Sequence, residues 1–596
     1  MKYPSLNPLP TTVRMIDTFR GYNHNEKIRD GEWYDTQNIT TKYYPMFANR
    51  AKRGTAYQLA NGQGMLAKEK LAYVDNNMLY YDGAATPVRN LTAGEKQLVS
   101  FGAYICVFPD GRYYNTADPT DYGWMDSEYT SAGSTQYSYC LKDGSTYTQT
   151  VSNTAPTSPF NGQYWLDTSE TPSVLKRYSE ALLAWVTVTR YAKIKFMTRH
   201  HLGDEFKEGD GVMLSATNDS PNIVERLGLE WDQKTGKYIK YTIISKVGGS
   251  DNEDDYVVVP IELESGEMNT QEVLTISRHL PQMDYVVNLK NRLWGCYYGQ
   301  ANGEMINEIY CCALGDFKNW SKYEGLSTDS FTASVGTDGP WTGAASFMGY
   351  ALFFKDDHIH TVAVSAKGAH EISDVAARGV QLGCSDSLQI IDGTLFYKSK
   401  DGVCAYQGGA PVLVSQALGD VKYYDAAAGA FGQYYYISMR DSANNWNLFV
   451  YDIAKRLWAR EDDSHALWFG TIGEELYMMT SDFSILALNG TTGTLENKME
   501  WSATSGIMAY EYPNKKYISR YNIRMQMEEN AVMHVFIEYD SSGDWENAGT
   551  VAFHGTGTMT LPVKTRRCDH MRLRLTGYGN VKIFSISRIL MQGSDK

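Results

Sequence analysis

No apolar run in this sequence comes close to the roughly 18 residues needed to cross a bilayer, and the opening MKYPSLNPLP has no apolar stretch of the kind that leads a secreted chain. The expectation is a chain without membrane insertion, folded in the cytoplasm of the cell that makes it. Paired cysteine motifs are missing too. The eight cysteines, Cys106, Cys140, Cys296, Cys311, Cys312, Cys384, Cys404 and Cys568, show no CxxC spacing. That removes the usual zinc site and disulfide framework, and they read as small buried hydrophobes. Positive charge is scarce: 55 Lys and Arg against 69 Asp and Glu leave a net charge of −14. A protein whose main work is gripping nucleic acid needs Lys and Arg on phosphate, so that class is disfavoured. A conduit along which double-stranded DNA slides is still allowed, because an acidic wall repels phosphate and prevents sticking.

Tyrosine and glycine are abundant. The 44 tyrosines and an aromatic share of 13% favour strands, and the 52 glycines punctuate them as turns. At 596 residues the chain exceeds one ordinary core and divides into several domains. One layout recurs: a short apolar strand, a turn of two to four residues rich in Gly, Asp or Asn, and a second strand with Tyr or Phe at alternate positions. It runs through Lys70 to Gly83, Val99 to Asn115, Tyr285 to Gly299, Ala344 to Val364, Ser387 to Gly409, Phe431 to Asp462 and Ala466 to Gly490. Repeats of about 40–50 residues with about four strands each suit a β-propeller of about six or seven blades. A β-sandwich with long hairpins explains the same alternation.

The fold expected is all-β: a propeller with an inserted small β-barrel region and a C-terminal β-sandwich. The divisions are an N-terminal arm with the first propeller strands (1–55), a first propeller part (56–125), inserted β modules (126–284), a second propeller part (285–498) and the sandwich (499–596). In the insert, the Pro- and Thr-rich run from Ser152 to Val188 precedes strands around Phe206 to Ala216 and Asp255 to Leu263. The acidic run Asp251 to Asp255 reads as a solvated turn. In the last segment, Tyr517 to Glu528, Ala531 to Asp540 and His570 to Gly579 alternate outward polar with inward apolar residues.

The motifs of hydrolytic chemistry are missing. There is neither a Gly-x-Ser-x-Gly elbow nor a His-Glu-x-x-His helix, and Thr337 to Gly343 is only a distant echo of a sialidase Asp-box. His200 and His201 would face opposite sides of a strand. His358 and His360 could share a face but lack a third ligand. Asp356 with Asp357, and Asp462 with Asp463, sit in turns, where Asp commonly bonds its own backbone. No catalytic residue, cofactor or metal is expected. Tyr164, Trp165, Tyr178 and Trp185 could together form a sugar-stacking platform, or the core of a tiny domain. The runs NGQYWLDTS and AWVTV are similar to small chitin-binding-like modules of bacterial and phage proteins, over about thirty residues.

Several runs resemble bacteriophage structural proteins. Phe19 to Gly54, with its Gly-Tyr-Asn turn, Asp-Gly-Glu-aromatic step and closing basic residues, resembles the opening of phage propeller proteins. Cys311 to Gly325, the turn from Asp329 to Phe331, Gly339 to Gly343 and LFFKDDHIHTV are similar in order to blades of packaged-DNA stabilisation and tail-nozzle proteins. WSATSG, KKYISRYNIR, EYDSSGDW and RRCDHMRLRLTGYG look like the closing domain of prophage structural proteins. The resemblance implies a non-enzymatic virion protein of the tail or neck, assembled in the host cytoplasm. It would be a subunit of a homo-oligomeric ring, commonly a hexamer, below the portal and adaptor, extending the DNA channel and retaining the genome until ejection. Arg50, Lys52 and Arg53 are the expected inter-subunit contacts. The alternative function is a carbohydrate- or receptor-binding tail protein that uses Tyr164, Trp165, Tyr178 and Trp185; a propeller glycosidase is the third reading.

Overall fold

Strand after strand in this protein is joined by a turn the sequence spells out. A computed structural model describes residues 11–197, 201–250, 253–263, 266–301, 303–365, 369–508, 515–563 and 566–592. Lys290 and Asn291, Met348 and Gly349, and Asp392 and Gly393 all hold positive φ at both central positions. Two such residues in a row give the tight hairpin turn whose twist matches that of the strands on either side. The hairpins Tyr285–Leu289 with Arg292–Ala301, Gly343–Phe347 with Tyr350–Phe354, and Gln389–Ile391 with Thr394–Ser399 follow directly.

The chain divides into two units, one of residues 1–98, 339–363 and 372–596, the other of 99–338 and 364–371. In the first, four-stranded antiparallel meanders form from Gly62–Ala67 to Ala84–Arg89, from Gln389–Ile391 to Val412–Leu413, and from Tyr423–Phe431 to Leu457–Asp462. The strands Ala466–Ile472, Glu475–Thr480 and Ser484–Ala487 open a five-stranded sheet. Gly54–Gln58, from the far end of the sequence, takes the fourth place, and the short strand Thr494–Leu495 pairs on its other side. Tyr397, Tyr435, Phe449 and Trp458 anchor the apolar core between neighbouring meanders.

The C-terminal strands of this unit form two sheets with one core. Lys516–Met527, Gly555–Pro562 and Val581–Gln592 belong to one; Glu500–Ser505, Val532–Tyr539, Trp545–Val551 and Met571–Tyr578 belong to the other. In Met571–Tyr578 every second residue is buried, as a strand with one core face requires. The N-terminal strands Thr11–Ile16 and Phe47–Asn49 pair with Val581–Gln592, and Trp33–Gln37 pairs with Glu500–Ser505. Phe19, Trp33 and Phe47 therefore lie in the same core as Trp501, Tyr521 and Leu573.

The second unit holds the meanders from Gln97–Phe101 to Tyr122–Trp124 and from Tyr285–Leu289 to Phe331–Ser334. Between them in sequence come two five-stranded sheets around a shared core that includes Tyr137, Phe196, Leu214 and Val257. A small sheet of Gln149–Ser152, Tyr164–Asp167, Val174–Ser179 and Ala184–Thr187 opens with a parallel pair.

These sheets are open, the six-stranded C-terminal one branching at Val581–Gln592, and the architecture is all-β and mostly antiparallel. The expected closed propeller of six or seven blades, with a small barrel in the insert, is corrected to this arrangement of open sheets. Alternation and turn residues fix which sequence neighbours pair, but they hold no information on whether a sheet closes into a barrel or on how separate sheets are set against one another.

Of the basic cluster expected at a subunit contact, Arg50 and Arg53 are buried within the chain. The Arg53 guanidinium lies between Glu461 and Asp462, with N···O distances of 2.6 Å to each, and its side chain is 6% exposed. Arg50 is equally buried, bonding Glu496 and, through Nε, the Asn38 side chain at 2.7 Å. Lys52 alone is exposed, and it donates to the Asn497 carbonyl at 2.8 Å. Burial works against the Asp462 carboxylate, but Arg53, Ser464 and Arg50 more than offset it and hold its pKa below the usual range. Both arginines are engaged within the chain.

Candidate functional site

The small sheet sorts the four aromatics proposed as a sugar platform. Adjacent residues of a strand point to opposite faces, so Tyr164 and Trp165 part company. Trp165 pairs with Lys176, and Tyr178 with Trp185, which places Trp165, Tyr178 and Trp185 on one face. The Trp165 and Trp185 rings meet edge to face at 5.3 Å, and Tyr178 meets Trp185 in the same way at 5.4 Å. Trp165 is buried, its indole N–H donating to the Ser152 carbonyl at 3.0 Å, and it forms the floor. Tyr178 and Trp185 are half-buried and present ring surface to solvent. Tyr164 lies on the opposite face, against Tyr147 at 4.9 Å.

Charged groups sit beside the paired rings. The Lys176 ammonium lies 5.2 Å over the Trp165 ring and donates to Asp167 and Glu170, both at 2.8 Å. The hydrogen bonds from Lys176 and Ser169 push the Asp167 carboxyl down to about 2, so it stays an acceptor throughout the physiological range. Asp167 is buried and anchors Lys176, while Glu170 is exposed, so half-exposed aromatic faces bordered by one fixed carboxylate match the two sides of a sugar, one of C–H groups and one of hydroxyls.

A second candidate in the same unit is a cleft of about 720 Å³ whose lining includes Trp124, Asp126, Glu128, Glu205, Arg278 and Lys318. Trp124 is 58% exposed, with the Arg112 guanidinium 4.2 Å from its ring. Below it, buried Asp210 accepts from Arg278 and, at 2.7 Å, from Asn319. Asp126 accepts from the Leu280 backbone at 2.8 Å and contacts the His279 ring, whose pKa it raises.

The first unit carries a perturbed carboxyl. Asp386, in the short turn Ser385–Ser387, is reached by solvent but crowded by protein. That desolvation, reinforced by the like charge of Glu95, pushes its carboxyl up to about 7. Glu95 is itself shifted upward by desolvation. No motif in the sequence marks this pair, because the two residues lie nearly three hundred positions apart.

The histidines have other occupations. His358 contacts Asp357 at 2.8 Å, while His360 is buried against Trp341, where desolvation and the nearby Lys355 ammonium push its pKa down to about 4. His200 lies outside the described residues, as do Asp251 and Asn252. Among the described residues no cluster of three His, Cys, Asp or Glu side chains converges on a metal site.

No family model matches the chain, and no curated protein matches it. Solved structures do. An exo-β-1,3-galactanase from Phanerochaete chrysosporium is 9% identical, over 50% of this chain and 94% of its own, with a TM-score of 0.21. A glycoside hydrolase family 43 arabinoxylan arabinofuranohydrolase from Bacillus subtilis is 10% identical, over 53% and 96%, with a TM-score of 0.20. These are glycoside hydrolases, where the sequence resemblance implied bacteriophage tail-nozzle proteins. The expectation of a non-enzymatic virion ring subunit enclosing a DNA channel is corrected on that finding. At such TM-scores the activity has to be argued from this chain's own residues.

Proposed function

We propose that this chain is a carbohydrate-binding protein that stacks a sugar ring on Tyr178 and Trp185. The observation that carries the reading is the pairing of these two half-exposed rings on one sheet face, next to carboxylates held in place by Lys176. Sugar C–H groups lie on the aromatic surface, and sugar hydroxyls donate to the exposed Glu170. Titrating the protein against a panel of soluble glycans tests it. Trp185→Ala should weaken binding about tenfold, equivalent to ~1.4 kcal/mol. Tyr164→Ala, on the opposite face, should leave it unchanged. Equal losses from the two variants, or no saturable binding by the parent, would remove the proposal.

A second reading, glycoside hydrolysis, is favoured by Asp386. A carboxyl that keeps its proton near neutrality is the donor a departing glycosidic oxygen requires. Turnover should decline as pH rises past about 7, and Asp386→Asn should abolish it. The same shift acts on stability. The folded state binds a proton that the unfolded chain releases near pH ~3.9, so this residue's contribution falls as pH rises from there through the folded value. Asp386→Asn should accordingly stabilise the protein at pH 8 and change little at pH 4, as read from unfolding midpoints.

A further inference from the structure

Lys398 stands on the strand Thr394–Ser399 with 1% exposure, on the wall of a cavity of about 600 Å³ in the first unit. Its ammonium has three N–H donors. One goes to the Gln381 side-chain oxygen at 2.7 Å and one to the Ser399 carbonyl at 2.5 Å. Both acceptors are neutral. Buried charges in folded proteins are paired, since an unpaired one forfeits its hydration without return. The carboxylate and the second lysine nearest in sequence are engaged elsewhere: Asp401 takes the Arg378 guanidinium at 2.6 Å, and Lys400 pairs with Asp356 at 2.9 Å. Desolvation lowers the Lys398 pKa, as expected for a buried ammonium without a partner.

The rest of the wall is mixed: Asp401 and Asp420 line it with Lys400 and Lys422, so that with Lys398 three cations face two carboxylates, one of them taken by Arg378. Ser415 Oγ accepts from the Val403 backbone at 3.0 Å, which leaves its hydroxyl proton to be donated. Lys422 is exposed and lines the same cavity. We infer that this cavity binds a small anion, an inorganic phosphate or the carboxylate of a sugar acid, whose charge completes the pairing of Lys398. The anion accepts the third N–H of Lys398 and the Ser415 hydroxyl, and Lys422 supplies attraction from the rim. The site is independent of the aromatic face that carries the proposed function, and each can fail alone.

Calorimetric titration of the whole chain with sodium phosphate and, separately, with sodium glucuronate tests the inference. Saturable binding of at least one anion is expected, weakened at least tenfold in Lys398→Met and several-fold in Lys422→Ala. Phosphate alone would identify a phosphate site, glucuronate alone a sugar-acid site, and both a site selecting charge. If Lys398→Met does not fold, Ser415→Ala should weaken binding several-fold in its place. No saturable binding of either anion by the parent would overturn the inference. So would a folded Lys398→Met that binds as the parent does, or, without that variant, a Ser415→Ala that does so.

Discussion

Replacing Arg53 by Ala is expected to destabilise the protein by about 3–5 kcal/mol, the usual cost of leaving buried carboxylates without their cation. Glu461 and Asp462 both rely on this guanidinium, and Glu496 accepts from the Arg53 backbone N–H at 2.7 Å. Truncating the arginine leaves two buried acidic groups with only the more distant Arg50 guanidinium, 3.9 Å from each. Lys52→Ala, one residue away but exposed, should shift stability by less than about 0.5 kcal/mol. Denaturant unfolding of the two variants gives the comparison. An Arg53→Ala protein that unfolds within 1 kcal/mol of the parent, but falls from an oligomer to a monomer, would return the residue to an inter-subunit role.

The second large effect concerns the C-terminal sheets. Residues 499–596 expressed alone should fail to fold, because their core is incomplete. Ile16, Phe19, Trp33, Ile39 and Phe47 all belong to it. The rings interlock, Trp33 on Phe47 at 5.2 Å and Phe47 on Trp501 at 5.8 Å. At about 2 kcal/mol for each buried apolar side chain, these five contribute roughly 10 kcal/mol. That rivals the whole stability of an ordinary domain, about 5–15 kcal/mol. The same fragment with residues 11–50 joined by a flexible linker should unfold cooperatively. Near-UV circular dichroism and thermal melts decide it: a sharp transition from 499–596 alone would show that the N-terminal strands are dispensable.

Local structure was legible in the sequence and long-range structure was not. The hairpin of Leu71–Asp75 and Met78–Tyr81 turns at Asn76, which holds positive φ, and the residue types announce it. Nothing local announces that Trp33–Gln37 will pair with Glu500–Ser505, because any alternating strand offers the same edge. The burial of the basic cluster was hidden for a similar reason. Arg50 and Arg53 read as surface residues until the chain brings Glu461, Asp462 and Glu496 to them from more than four hundred residues away. For the aromatic site the residues were legible, and so was part of their grouping. The adjacency of Tyr164 and Trp165 already placed them on opposite faces, and the period of two would have excluded Tyr164. Lys398 left no trace, since it owes its character to burial, and Asp386 none, since the crowding and the like charge of Glu95 come from residues distant in sequence.

The strand Gly54–Gln58 completes a sheet whose other members arrive very late, and the Ser484 hydroxyl meets the Gln58 side chain across 426 residues. At a synthesis rate of about 5–20 residues per second, the early strand leaves the ribosome on the order of 20–85 s before its partner exists. For that interval it is an unsatisfied edge, able to pair with any passing strand, including its counterpart on a neighbouring nascent chain. Chains diluted from denaturant hold both strands from the first instant. The newborn protein therefore faces an aggregation hazard that refolding in the test tube never samples, and its yield in cells will follow how quickly it is translated and how well the waiting edge is shielded.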